Sequence, residues 1–462
     1  MDRFIGVCLL GVLLSVAGGG MASAQGFGVY EQGACMMGRG GAGVAAPCPD
    51  GSGIFYNPAA LPVDADVITF GGVVINPKGN FTDTSTTSMK GTVSTLNNGY
   101  YPVPNIYMSL SFAKKYAFGV GVFAPYGVTT DWPVKSQGRY LGYHSVVEGL
   151  YIQPTFAVRL NNHVSIGIGV DVTRLNVELS QRVDLSTQLL PSGAPYSTVG
   201  VPAYTDFADI QLKGKTWNYG YHLGAMFKVN DRFSIGMRYL SGQKVDINDG
   251  TIDTTQIMTG LKLPPQLGGT PIDDFVKPYF SSGGKLSDQS AETSIPLPAQ
   301  FVAGVAIKAA LNVKLFFDYQ YTNWSAFDRL KIDFQNLTDA EDEGRAIPEY
   351  YNNVSGLRIG TEIGLGEKSQ LRAGFNVHGP AAPDQTVTPN LPEGSRQELT
   401  LGFGSKLSKA FRFDVSYVYL HQPDRAGRSY AGANPAAPTV ADNNGVYSFM
   451  GHLFGLSMSV RF

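Results

Sequence analysis

The chain ends Leu453-Phe454-Gly455-Leu456-Ser457-Met458-Ser459-Val460-Arg461-Phe462, and the reading of that stretch decides the fold. Phe454, Leu456, Met458, Val460 and Phe462 fall on one face, while Gly455, Ser457, Ser459 and Arg461 fall on the other. A period of two belongs to a β-strand, because successive side chains point to opposite sides of a pleated backbone. One face is large and apolar and the other is small or charged. The pattern recurs upstream: Val164, Ile166, Ile168, Val170 and Val172 alternate with Ser165, Gly167, Gly169, Asp171 and Thr173. Val313, Leu315, Phe317, Tyr319 and Tyr321 do the same against Lys314, Phe316, Asp318, Gln320 and Thr322, and 371–378 and 411–417 follow suit.

Fourteen such strands are expected, near 66–76, 102–112, 116–125, 146–160, 164–182, 209–228, 232–249, 291–308, 312–335, 350–364, 369–380, 394–407, 411–424 and 446–462. Many run ten residues or more, long for a soluble sheet and suited to a tilted strand crossing a bilayer. The connections between them alternate. Tight turns at 113–115, 161–163, 229–231, 309–311, 365–368 and 408–410 are interleaved with long loops at 77–101, 126–145, 183–208, 250–290, 336–349, 381–393 and 425–445. Short periplasmic turns and long outer loops are how an outer-membrane β-barrel is built. Closure also leaves no unpaired backbone edge in lipid. The predicted fold is all-β, a transmembrane antiparallel barrel of fourteen strands over residues 66–462. A propeller would show a repeat of about 40 residues with a shared blade motif, and none is present.

Composition agrees. Of 462 residues 56 are Gly, aromatics make up 11 % and charged residues only 16 %, against a usual quarter or so. Mean hydropathy lies near zero, as alternating lipid-facing and water-facing residues require. A net charge of −2 offers no basic face to nucleic acid. Residues 1–24 read as a signal peptide: Arg3, an apolar stretch from Phe4 to Ala17, then Ala22-Ser23-Ala24 before Gln25. The apolar stretch is short for a membrane anchor. The address and the barrel together point to the outer membrane of a Gram-negative bacterium.

Residues 25–65 do not alternate. They hold Gly38, Gly40, Gly41 and Gly43 among apolar Phe27, Val29, Tyr30, Ile54, Phe55 and Tyr56. The lumen of a fourteen-stranded barrel is wide enough to need filling, so this segment is expected to fold inside it as a plug. Cys35 and Cys48 lie close in sequence in an oxidising compartment, where a disulfide is expected; closing about a dozen residues stabilises by roughly 3 kcal/mol in the chain-entropy model. The alternative is two free thiols in the packed plug. A metal site lacks further ligands nearby, no cofactor motif is present, and the six scattered His form no nucleophile motif of an enzyme.

On Gly26-Phe27, Glu31, Gly38-Arg39 and Asn57-Pro58-Ala59, then Pro125-Tyr126-Gly127, 157–162, Tyr321-Thr322-Asn323-Trp324-Ser325 and Arg372-Ala373-Gly374-Phe375, the mature chain resembles the FadL-type transporters of long-chain fatty acids and aromatic hydrocarbons. The resemblance implies a fourteen-stranded barrel with an N-terminal hatch, hydrophobic ligands captured in a groove between outer loops, an inner pocket touching the start of the hatch, and sideways release through a kink in the third strand. It places the kink at Pro125, Tyr126 and Gly127, where many members have Asn before Tyr-Gly. It places the outer groove in 126–145 and 183–208, with Tyr126, Trp132, Tyr140, Leu141, Leu189 and Leu190, and the inner pocket at Gly26, Phe27 and Val29. The nearest matches to the basic residues that hold a ligand head group are Arg182 and Arg345. Asn57, Pro58 and Ala59 are expected to form a turn tying hatch to wall, and Glu31 and Arg39 could pair within the lumen or each be solvated. Expected partners are a hydrophobic small molecule, outer-membrane lipid and lipopolysaccharide, and the barrel-assembly machinery reading the terminal Phe462; a monomer is expected. The competing functions are a general porin for polar solutes, which needs an open lumen with charged rings, and a lipid-modifying enzyme.

Overall fold

The computed structural model describes residues 26–61, 66–84, 90–113, 115–427 and 444–462; the expected signal peptide lies outside them. Fourteen antiparallel strands close into a barrel. They are β1 (Val67–Asp83), β2 (Tyr101–Phe112), β3 (Tyr116–Asp131), β4 (His144–Arg159), β5 (Val164–Asp184), β6 (Asp206–Lys228), β7 (Phe233–Leu240 and Gln243–Gln256), β8 (Gln289–Leu297 and Gln300–Lys308), β9 (Val313–Thr322), β10 (Val354–Leu365), β11 (Ser369–His378), β12 (Arg396–Lys406), β13 (Phe411–Ala426) and β14 (Gly445–Arg461). Each pairs with its neighbour in sequence, and β1 closes on β14 from Val67↔Arg461 to Asp83↔Gly445.

Exposure along β14 inverts the soluble rule. Phe454, Leu456 and Met458 are 51 %, 55 % and 50 % exposed, while Ser457 and Ser459 are buried. Leu399 and Leu401 on β12, Ile166, Ile168 and Val170 on β5, and Tyr319 and Tyr321 on β9 face outward in the same way. A continuous exposed apolar band of this size has a lipid partner, not water. Among the described residues no helix is long and apolar enough to cross a membrane; the strands do the crossing.

Residues 26–61 lie inside the barrel as two single helical turns, Ala34–Met37 and Gly53–Tyr56, joined by tight turns. Ile54, Phe55 and Tyr56 pack against Tyr107, Phe123 and Tyr151 of the wall. The Cys35–Cys48 disulfide is formed. The hatch is seated by bonds to inward-facing wall residues. Asp318 accepts from the amides of Gly43 (2.7 Å) and Val44 (2.9 Å). Thr69 Oγ1 donates to Asp50 O (2.6 Å), and Gln153 Nε2 donates to Ile54 O (2.9 Å).

Four expected strands are corrected. The first strand runs to Asp83, through Asn76-Pro77-Lys78-Gly79-Asn80, which reads as turn. Its ladder to β14 continues there while its other neighbour, β2, stops at Ile75↔Tyr101, and a proline is tolerated on the side that has no partner. The expected strand 312–335 ends at Thr322, because Trp324 turns into the lumen and is fully buried. The expected strands 232–249 and 291–308 are each interrupted, at Ser241-Gly242 and at Pro298-Ala299.

Candidate functional site

The wall is broken on one side of β3. Pairing between β2 and β3 runs only from Phe112↔Tyr116 to Ile106↔Val122, although both strands continue. Beyond Val122, β3 keeps its ladder to β4, with a register shift between Phe123 and Tyr126. The bonds that β2 would have made are taken by the hatch. Gly127 N donates to Phe27 O (2.8 Å), and Val29 N donates to Pro125 O (2.8 Å). Gln32 completes the patch with its carboxamide, donating to Ala124 O (2.7 Å) and accepting from Ala124 N (3.2 Å). These bonds occupy the peptide groups of Ala124, Pro125 and Gly127 on β3, so the strand can lean away from its neighbour with those groups satisfied. Pro125-Tyr126-Gly127 therefore lies in mid-strand, not at a strand end as the sequence suggested, and Tyr126 faces the lumen instead of an outer loop.

At this point Phe27 sits in a nest of rings. Its centroid is 4.7 Å from Trp324, 6.1 Å from Phe327 and 6.2 Å from Tyr126, all edge-on, the arrangement that ring quadrupoles favour. Gly26 has φ +54° and lies so close to Trp324 that a Cβ would fall 2.4 Å from the indole; only glycine fits.

Residues 27–32 of the hatch thus patch a gap in the third strand of the barrel. The family model described as outer membrane protein transport protein (OMPP1/FadL/TodX) matches residues 15–462. The chain belongs to this family. Curated relatives include the long-chain fatty acid transport protein of Escherichia coli O6:H1, 23 % identical over 411 residues and covering 87 % of each chain. Another is outer membrane protein P1 of Haemophilus influenzae, 24 % identical over 451 residues, covering 91 % of this chain and 90 % of that one. Among solved structures, a Pseudomonas aeruginosa FadL homologue superposes with TM-score 0.78 at 20 % identity, covering 94 % of this chain and 99 % of that one. The Ralstonia pickettii toluene transporter TbuX superposes at 0.63 and 19 % identity, covering 94 % and 100 %. The two structures speak to the fold. The protein is an outer-membrane transport barrel of the FadL/TodX family, and its relatives are transporters and channels.

The other sequence-chosen residues of this FadL/TodX-family chain divide. Asn57 ties hatch to wall: Oδ1 accepts from Ala59 N, and Nδ2 donates to Val44 O and Ala225 O. Ala59 O in turn accepts from Ser165 Oγ (2.8 Å), and Pro58 opens the short turn between them. Glu31 and Arg39 do not pair. The helical turn 34–37 and the left-handed Gly40 and Gly41 send Arg39 toward β9, where its guanidinium lies 4.1 Å from the Phe316 ring centre and donates to Ala46 O. Glu31 stays beside Glu398 of β12. Trp132 does not line a groove; it is buried against Tyr447 and Phe449 and donates to Pro389 O. Tyr140 bonds Asp206 through its hydroxyl, and Leu141 is half-buried beside it. Leu189 and Leu190 belong to a separate apolar cap. There 185–205 packs on 257–288 through Leu185, Tyr196, Ile272 and Val276, and its far end also meets 126–145, where Arg139 and Tyr140 bond Asp206 and the Tyr140 ring stacks on Tyr204. Arg182 is bound to Asp209 (3.5 Å). Arg345 closes a helix, Asp339–Arg345, and its side chain lies outside the described residues.

Sequence reasoning missed Arg238 and Arg358, each 1 % exposed inside the barrel. Their guanidinium carbons lie 5.0 Å and 3.4 Å from the Tyr30 ring centre. Arg238 Nε and Arg358 Nε and Nη1 have no hydrogen-bond partner. Arg238 Nη2 donates to Gln300, whose amide donates to the Tyr126 hydroxyl. The signal was available. Each arginine sits between outward apolar neighbours, Met237 and Tyr239 or Leu357 and Ile359, so strand alternation alone turns it inward.

Burial and the neighbouring Glu398 push the Glu31 carboxyl up to about 8, against the pull of Arg358 and Arg396. Because the folded value lies above the ordinary one, the stabilisation is complete below the unfolded value of 4.5 and is lost as pH climbs toward 8. The hatch should therefore become more open to trypsin at Arg39 between about pH 5 and about pH 8, and Glu31→Gln should remove that dependence. An unchanged pH profile in Glu31→Gln would assign the effect to another group.

Proposed function

We propose that this barrel carries hydrophobic molecules inward by passive diffusion, taking them from the outer loops to the rings around Phe27 and releasing them sideways into the membrane between β2 and β3. The observation that carries this reading is the β2–β3 gap, whose missing backbone bonds come from the hatch and not from the neighbouring strand. Capture is assigned to the cap of 185–205 and 257–288, where Leu189, Met258 and Phe275 stay exposed above a buried apolar floor. Burying each methylene is worth about 0.8 kcal/mol, so a dry path holds a long alkyl chain where a wet pore would not. The unpartnered donors of Arg238 and Arg358 favour ligands with an anionic head, long-chain fatty acids above all, since a buried donor left unbonded costs about 1–3 kcal/mol. The hatch fills the bore, which weighs against a polar porin. The exposed Phe462 is the assigned signal for barrel assembly, and the apolar band is the face toward lipid and lipopolysaccharide.

The test is a lock across the gap. Val103→Cys with Ala124→Cys, joined by a short bifunctional maleimide in the intact protein, should abolish fatty acid uptake while the folded barrel persists on a heat-modifiability gel. Uptake at the unlocked rate would overturn sideways release at this place.

A further inference from the structure

The β2–β3 gap is not the sole break in the wall. β8 pairs with β9 from Lys308↔Lys314 up to Gln300↔Thr322, and Asn323 N adds a last bond to Ala299 O. Above that point β9 leaves the sheet, and pairing to β8 resumes only at Thr293↔Ile332. Residues 294–298 of β8 have no strand partner on the β9 side. β7 and β8 both bend at this height, at Ser241-Gly242 and Pro298-Ala299. Outside the bend lies a cavity of about 820 Å³, bounded by Pro296, Leu297, Pro298 and Ala299 on one edge and by Asn323 and Ala326 on the other.

Both gaps share one device. The edge of the first is Tyr101-Pro102-Val103-Pro104, and the edge of the second is Ile295-Pro296-Leu297-Pro298. Proline carries no N–H, so a Pro-x-Pro strand sheds two of the donors that an unpaired edge would leave bare in lipid. Behind the second gap stand the same rings that receive the hatch. The Tyr126 hydroxyl donates to Pro298 O, and Trp324, one residue past the last paired position, packs on Phe27. Directly below it, Phe301 faces outward opposite Tyr239 and Tyr321, so the opening sits at the upper edge of the lipid-facing band.

We propose that the β8–β9 gap is a second side opening, an entrance through which uncharged apolar molecules dissolved in the outer leaflet reach the Phe27 ring cluster without passing the outer loops. The proposal rests on the transport reading above. The charge at the rim selects the occupant. Its three cations are already bound to carboxylates, Lys244 to Asp246, Arg329 to Glu343 and Lys331 to Asp333, so no free cation awaits an anionic head. Glu292 and Asp328 in the lining repel an anion further, while Pro296, Leu297, Pro298, Ala299 and Ala326 offer apolar contact at the gap.

The experiment places a bulky maleimide on Ala326→Cys, and in parallel on Ala299→Cys, in the full-length protein in proteoliposomes. Cys35 and Cys48 are joined to each other and do not react, and Cys8 is replaced by Ser in every variant. Labelled Asn248→Cys, on the rim away from the gap, is the control. Toluene uptake should fall by about an order of magnitude in either labelled gap variant and hold in the control, while palmitate uptake is unchanged in all three. Toluene uptake unchanged in both gap variants, with the β2–β3 lock still blocking it, overturns the second entrance and leaves the transport reading standing. Equal loss of toluene and palmitate overturns selection by charge. If the β2–β3 lock has no effect on either probe, the transport reading fails and the inference falls with it.

Discussion

Gly374→Val should turn a closed barrel into a conducting one. Gly374 lies on β11 facing the hatch, where a Cβ would fall 2.3 Å from both the Arg39 carbonyl carbon and the Gly40 nitrogen. These are backbone atoms of a tight turn and cannot swing aside as a side chain would. Opposite it in the ladder, Gly360 presses on the same turn, with a Cβ position 2.4 Å from Arg39 O. Overpacking a well-filled interior costs about 1–3 kcal/mol, and more when the clash is with backbone. The hatch should be expelled while the wall, whose ladder does not use the Gly374 side, stays closed. Planar-bilayer conductance should rise from near zero to a steady porin-like level, with trypsin cutting at Arg39. Gly364→Ala on β10, where a Cβ meets nothing nearer than 3.6 Å, should change neither. A Gly374→Val channel that stays shut would mean the hatch has another way to fit.

Asp318→Ala should loosen the same segment from a place two strands away, on β9. The Asp318 carboxylate is buried and accepts from two successive hatch amides, Gly43 and Val44. Charge-assisted bonds of this kind are worth more than neutral ones, and truncation leaves two buried donors bare. A loss of about 3 kcal/mol would raise the hatch-open population by about 100-fold. Asp318→Asn keeps an acceptor oxygen and should lose less. Protease protection of the hatch, measured beside the melting temperature of the whole barrel, separates local release from global damage. Equal protection in wild type and Asp318→Ala would mean the Gly43–Val44 turn is held by packing alone.

Much of this molecule was legible because its governing signals are local. Alternation of large apolar with small or charged residues follows from the pleat, and it located the strand cores and turned Phe454, Leu456 and Met458 outward. Alternate short and long connections gave closure, and a proline-glycine segment that breaks the alternation marked the plug. What could not be read was the meeting of distant segments. Glu31 and Arg39 are eight residues apart, yet the turn at Gly33 and the helical turn 34–37 between them send them to different strands of the wall. Trp132 looked like a groove residue and is instead packed against β14. The loop 183–208 packs on 257–288 as well as meeting 126–145, and Asn76 to Asn80 stayed in strand because β14 continued beside it.

By itself, then, the order of residues determined a closed cylinder with a greasy exterior, its strand number and its filled bore, because strand alternation and turn length act between neighbours. Only the tertiary structure decided where the cylinder is open. A gap between two strands depends on which remote group takes up the bonds left over: the hatch at Phe27 and Val29 for β3, and proline's missing donor with the inward turn of Trp324 for β8 and β9. No local pattern carries that information, since each partner is a stranger in sequence to the edge it completes.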